Sequence, residues 1–301
     1  MSSTTIFTWL DAARPKTLSL AITCILCGST MAFETSSFSI TITLLALITA
    51  LLLQILANLA NDYGDAVKGT DNDARVGHKR TIQQGLVTLK AMKKAIALNL
   101  ILIIAFGAAL ISTAFDSTSE ILSFIGLGIL SIIAAICYTV GKKPYGYHGF
   151  GDLSVLIFFG WLGVAGTYYL QTGLLSTAIL FPATACGLLA VSVLNINNLR
   201  DINNDRECGK YTLIVRMGTH WGRAYHQVLL AGSFCCFAIF ALLEYASFTS
   251  WLFLLALPLA IKHGVIVWMA PNSETLTPMI AHIIKIAMLT NILFAVSVLL
   301  H

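Results

Sequence analysis

Long apolar stretches alternate along this chain with short polar segments that carry nearly all of its charge. Nine such stretches stand out, roughly 16–34, 40–61, 94–115, 119–140, 151–171, 176–197, 224–244, 248–269 and 281–300. Each approaches the ~20 residues that a helix needs to cross about 30 Å of hydrocarbon, where every backbone polar group must be bonded within its own helix. The pattern predicts an all-α integral membrane protein: one domain over 1–301, built as a bundle of nine transmembrane helices.

The charges give that count a direction. With a cytoplasmic N-terminus, segments 61–94, 141–150, 197–223 and 263–280 lie inside. All 18 Lys and Arg then fall on the inner side: Arg14 and Lys16, seven from Lys68 to Lys94, Lys142 and Lys143, five from Arg200 to Arg223, Lys262 and Lys285. The outer loops, near 35–39, 116–120, 171–176 and 245–250, carry none, as the positive-inside rule requires. Composition agrees. Hydrophobic residues make up 57% and charged residues 11%, against about 25% charged in soluble domains. The first apolar stretch follows Asp11, Arg14 and Lys16 and reads as a span, not a cleaved signal. Cys24 and Cys27 form a CxxC within one apolar turn, without a second pair or a histidine beside it, and read as packing. The seven histidines show no metal spacing, and His78 reads as solvated.

Short outer loops and long inner ones place the chemistry on the inner side. Segments 61–94 and 197–223 follow spans two and six, and each opens on Asn-x-x-x-Asp: Asn61 to Asp65, and Asn197 to Asp201. This predicts two similar four-helix halves with a ninth helix added. Asn197, Asp201 and Asp205 fall at i, i+4, i+8, so they are expected to form one stripe on a helix, with a stop at Gly209. In the first cluster Asn61 and Asp65 share a face, and Asn58 and Asp62 form a second pair one face away. Asp71 would point elsewhere on a continuous helix, so Gly69-Thr70 is expected to break the helix and let it fold back.

A single polar cluster could be a hydrated helix end. Two carboxylate clusters at equivalent places, each bracketed by Lys and Arg, point instead to Mg²⁺ bridging a phosphorylated substrate. Mg²⁺ takes one or two protein carboxylates and completes its shell with phosphate oxygens and water. The other diphosphate donors would come from Lys68, Arg75, Arg80, Lys142, Lys143, Arg200, Arg206, Lys210 and Arg216. A diphosphate at the rim of an intramembrane bundle suggests a lipid tail between helices, hence ionisation of an allylic diphosphate and attack by an electron-rich ring.

These residues resemble the intramembrane aromatic prenyltransferase superfamily, over nearly the whole chain. The resemblance rests on an Asn-Asp-x-x-Asp motif after helix two and an Asp-x-x-x-Asp motif after helix six. It implies Mg²⁺ and prenyl-diphosphate binding by Asn61, Asp62, Asp65, Asp71, Asn197, Asp201 and Asp205. The usual last acid of the first motif falls here on Gly69, with Asp71 beyond it. NLANDYGDAVKGTD, YTVGKKPYGYHGFGD, LNINNLRDINNDRECGK, the opening RPKTL and TLIVRMG look like the branch that prenylates 1,4-dihydroxy-2-naphthoate in menaquinone biosynthesis. That implies demethylmenaquinone as product, with loss of CO₂ and diphosphate, in a bacterial inner membrane with the site facing the cytoplasm. No nucleic acid and no obligate protein partner are implied.

The remaining candidates carry two readings each. Lys142 and Lys143 are topology determinants or diphosphate ligands. Asp152, at the start of a span, orients the acceptor or acts as base, or favours a helix N-terminus. Tyr138 and Tyr147, with Tyr145 nearby, line an aromatic pocket or anchor at the interface. Arg14 and Arg216 contact diphosphate or the acceptor carboxylate, or hold a helix end. Catalysis is expected of Asp65, Asp201 and Asp152; acceptor binding of Arg14, Tyr138 and Tyr147; diphosphate binding of Asn61, Lys68, Lys142, Lys143, Asn197, Arg200 and Lys210. Three rivals remain. A transporter would carry ionisable residues at mid-membrane, where this chain has almost none. A CDP-alcohol phosphotransferase needs Asp-Gly-x-x-Ala-Arg, absent here. A third is the same chemistry on another ring such as 4-hydroxybenzoate.

Overall fold

The computed structural model describes residues 3–35, 37–72, 76–77, 79–244 and 247–301. A short helix, α1 (Ser3–Ala13), leads into the spans α2 (Pro15–Phe33), α3 (Ile40–Lys68), α4 (Leu89–Ala114), α5 (Thr118–Cys137), α6 (Gly151–Thr172) and α7 (Leu180–Arg200). A two-turn helix α8 (Ile202–Glu207) follows, and then α9 (Leu213–Glu244), α10 (Phe248–Met269) and α11 (Glu274–Leu299). Among the described residues nine helices are long and apolar enough to span a membrane, and no strand occurs. The chain is a multi-pass membrane protein.

Helices outrun the apolar blocks that announced them. α3 continues past 61 to Lys68, α4 starts at Leu89 and α9 at Leu213. A helix keeps its i→i−4 bonds beyond the hydrocarbon edge until a cap ends it. Thr88 caps α4, its hydroxyl accepting from the Ala91 amide at 3.1 Å. α3 ends on Gly69, left-handed at φ 73°, as the sequence led us to expect. The expected unbroken stripe through Asn197, Asp201 and Asp205 is not found. The chain leaves helical geometry at Asp201 (φ −94°, ψ 8°), and α8 restarts one residue later.

α11 packs on α2 as well as on α10 and α7, so the end of the helix sequence meets its beginning and the spans close into a ring. α7 is the most buried span, packed between α9 and α6, whereas α5 lies on the periphery. Within α6, residues Leu156–Gly166 adopt a π-helix, a widened form found mostly as single turns at functional sites. Polar side chains join helices where apolar contact alone gives no preference over lipid. Gln171 donates to the Thr43 hydroxyl at 2.9 Å and accepts from the Ser39 amide at 2.8 Å, fixing α6 to the start of α3.

The crossing of α6 and α7 depends on two glycines. A Cβ on Gly160 would stand 2.5 Å from the Ala183 carbonyl oxygen and 3.0 Å from Gly187 Cα. Gly160→Leu must therefore push the helices apart. Overpacking of this kind costs roughly 1–3 kcal/mol, and we expect a lower unfolding temperature in detergent than wild type. An unchanged melting curve would show that the crossing can shift freely.

Candidate active site

A cavity of about 410 Å³ opens inside the ring. Its polar end is made by Arg14, Asn61, Asp65, Arg80, Asn197 and Lys210, and its walls by apolar side chains such as Leu20, Ile25, Leu110, Phe124, Phe158 and Leu162. The π-helical stretch of α6 supplies several of these wall residues.

The polar end is built from two helix ends tied through a loop. Asn61 and Asp65, one turn apart on α3, both line the cavity. The Tyr147 hydroxyl donates to Asp65 Oδ1 at 2.8 Å and lies 2.6 Å from the Thr70 hydroxyl, which is then the donor to Tyr147. Asn204 of α8 donates to the Thr70 carbonyl at 3.0 Å, and the Tyr211 amide to the Tyr147 carbonyl at 3.0 Å. The two acidic segments are thus held together by Thr70 and Tyr147. Lys68 and Lys210 each place an ammonium 5.5 Å from the Tyr147 ring centre.

Lys210 sits between the clusters. Its Nζ is 3.5 Å from Asp205 Oδ1 and 4.0 Å from Asp65 Oδ2. Burial alone would lower the pKa of this ammonium, but the Asp65 and Asp205 carboxylates, with Tyr147 and Asp201, reverse that and hold it above its ordinary value. Burial pushes the Asp205 carboxyl up to about 6; Lys210 opposes the rise, and Asp201 and Asp65 add to it. Asp205 Oδ2 is buried and has no hydrogen-bond partner among the described residues. Burial, then Asp65, raises the Tyr147 phenol, and burial, then Asp152, raises Tyr138. Both are held neutral near pH 7, and the Tyr147 hydroxyl donates to Asp65.

The second face of α3 is shared between the cavity, which Asn58 also lines, and the α1–α2 junction. Asn58 donates to the Ala13 carbonyl at 2.8 Å, and Asp62, nearly fully buried, forms an ion pair with Arg14 and lies 3.6 Å from Arg80 Nε. Asp62 is therefore turned to the α1–α2 junction, not into the cavity, while the two arginines it holds line the cavity. Arg14 is the one described non-glycine residue with positive φ, at 54°.

The other expected residues divide plainly. Asp201 is bound by its neighbour Arg200 through Nε to Oδ1 at 2.8 Å and through a second nitrogen to Oδ2 at 2.5 Å. That guanidinium also donates to Asn197 Oδ1 at 2.8 Å. Asp71 lies beyond the Gly69 turn and does not line the cavity. Lys142 and Lys143 are exposed beyond the left-handed Gly141 and stand outside the cavity, so the structure does not bring them to the site. Asp152 is buried in the first turn of α6, hydrogen-bonded to Tyr225, and does not itself line the cavity, whereas Tyr138 does. Arg206 is exposed, and Arg216 holds the Tyr211 and His148 carbonyls. Arg75 and His78 lie outside the described residues. Sequence reasoning missed Thr70, Asn204 and Tyr225, whose roles depend on contacts far apart along the chain.

No three His, Cys, Asp or Glu side chains among the described residues stand close enough to hold a metal ion alone. The donors present suit Mg²⁺ arriving with phosphate: two facing carboxylates, one with a buried oxygen lacking a partner, beside cations.

The chain belongs to the UbiA prenyltransferase family, which its residues 20–288 match, and it is a prenyltransferase. It is 52% identical to a 1,4-dihydroxy-2-naphthoate octaprenyltransferase of Escherichia coli K12, covering 97% of this chain and 95% of that protein. A protein of the same description from Haemophilus influenzae is 47% identical, covering 97% and 96%. Among solved structures, an apo UbiA homologue from Aeropyrum pernix superposes with a TM-score of 0.70 at 16% identity, covering 94% of this chain and 97% of that one. A UbiA homologue from Archaeoglobus fulgidus bound to GPP and Mg²⁺ gives 0.57 at 15% identity, covering 95% and 99%. At these identities the likeness is one of fold.

Proposed function

We propose that this protein transfers a polyprenyl group from polyprenyl diphosphate to 1,4-dihydroxy-2-naphthoate, Mg²⁺-dependently, from the cytoplasmic face of a bacterial inner membrane. The acceptor's carboxylate leaves as CO₂, and demethylmenaquinone and diphosphate are the products. The observation that carries the transfer is the cavity itself, in which a carboxylate–ammonium cluster meets an apolar chamber between helices. The acceptor is supported by the two relatives of that description, about half identical in sequence over nearly the full chain.

Asp65 and Asp205 would hold Mg²⁺, which when bound offsets diphosphate charge and weakens the bond that breaks. Lys210 takes phosphate oxygens as negative charge builds on the leaving group, while Arg200, outside the cavity lining, holds Asp201 and Asn197. The apolar walls keep water from the allylic cation. Arg14 and Arg80, at the cavity's polar end, offer cations to the acceptor carboxylate, and Tyr138 gives it a neutral hydrogen-bond donor. Asp152 acts behind this surface, through the tyrosines it touches.

Purified protein should be given Mg²⁺ and a long-chain prenyl diphosphate, with dihydroxynaphthoate and 4-hydroxybenzoate in parallel, and the products read by mass. We expect demethylmenaquinone from the naphthoate alone. Prenylated hydroxybenzoate would keep the chemistry and overturn the acceptor; no product from either would overturn both.

A further inference from the structure

The ammonium of Lys210 lies in the position, between facing carboxylates of the two acidic segments, that a bridging cation would take. Its Nζ is 4.0 Å from Asp65 and 3.5 Å from Asp205. The side chain is about nine-tenths buried, and its own amide is tied to the Asp205 carbonyl at 2.7 Å. Asp65 has its other oxygen engaged by Tyr147, so these two carboxylates and one ammonium form a compact charged group. Each of these carboxylates already faces a positive charge without metal.

We infer that Lys210 holds the place of the divalent cation, so that metal enters only together with a diphosphate, which draws the ammonium onto its own oxygens. This rests on the diphosphate-transfer reading above and adds an order of binding to it. A bare divalent ion meets an ammonium a few ångströms away and no third acidic ligand among the described residues. A diphosphate removes both obstacles, supplying oxygens to complete the metal's shell and a new partner for Lys210. The cavity is open to that movement, since Lys210 lines it. The consequence is protective. An empty site carries no metal-activated water, and the ionising charge is assembled only when the substrate's head group is present.

The test is direct binding, not turnover. Mn²⁺ would be titrated into the purified full chain with and without inorganic pyrophosphate, and the Mn²⁺ retained with the protein would be measured against protein-free controls at the same pyrophosphate concentration. Wild type is expected to bind Mn²⁺ about tenfold or more tightly when pyrophosphate is present. Lys210→Met removes the charge and keeps the length, and should bind Mn²⁺ alone about tenfold or more tightly than wild type does. Lys210→Arg keeps the charge and should stay weak without pyrophosphate, which guards against a merely misfolded Met variant. Equal Mn²⁺ affinity of wild type and Lys210→Met, both binding with pyrophosphate, would overturn the place-holding role alone. No Mn²⁺ uptake by wild type even with pyrophosphate would overturn the diphosphate reading on which it rests.

Discussion

Asp65→Asn is expected to lower prenyl transfer by at least about a hundredfold to a thousandfold, the range seen when one preorganised electrostatic group at a reacting centre is removed. The protein should remain folded. Asn has the shape of Asp and keeps an oxygen to accept from the Tyr147 hydroxyl, so the link to Thr70 and α8 survives. What disappears is the charge facing Lys210 and any cation that replaces it. Asp205→Asn should act similarly, because its second oxygen is buried and has no hydrogen-bond partner among the described residues. Activity would be measured with saturating prenyl diphosphate across a Mg²⁺ series, and folding by size-exclusion elution and thermal unfolding in the same detergent. A folded Asp65→Asn protein working at the wild-type rate would remove Asp65 from the machinery.

The division between what sequence shows and what it hides follows the range of the interactions. The nine spans were legible because a membrane imposes a composition over a whole helix. The stop at Gly69 was legible too, since a left-handed residue is a local demand on the backbone. The break at Asp201 was not. Its i, i+4, i+8 spacing looked helical, and the contact that holds the turned chain, Asn204 on Thr70, joins residues far apart in sequence. Spacing put Asn61 with Asp65 and Asn58 with Asp62. It could not say that Asn58 reaches the Ala13 carbonyl and also lines the cavity, while Asp62 turns to Arg14. Lys142 and Lys143 had the right charge near the right helices, yet the turn at Gly141 leaves them exposed. The π-helix in α6 left no mark on an apolar sequence that serves any helix equally.

Asp62 is where motif and geometry make opposite demands, and the second large effect is expected there. The resemblance counts it among the metal-binding acids, but its side chain is 2% exposed and paired with Arg14, with Arg80 at 3.6 Å. Removing one partner of a buried ion pair costs roughly 3–5 kcal/mol, because the other charge is left without compensation. Arg14 and Arg80 keep 20% and 18% of their side-chain surface in contact with solvent, so Asp62→Asn should fall at the lower end of that range. Arg14 also holds a left-handed backbone at the α1–α2 junction, and the Asp62 contact helps to keep it there. Asp62→Asn should therefore unfold at a clearly lower temperature than either wild type or Asp65→Asn. With Arg14 released at the cavity mouth, it should also need more acceptor for half-maximal rate. Its Mg²⁺ requirement should match wild type, since the lost charge faces away from Lys210 and Asp205. A variant as stable as wild type that needs several times more Mg²⁺ would reverse this assignment and return Asp62 to the metal.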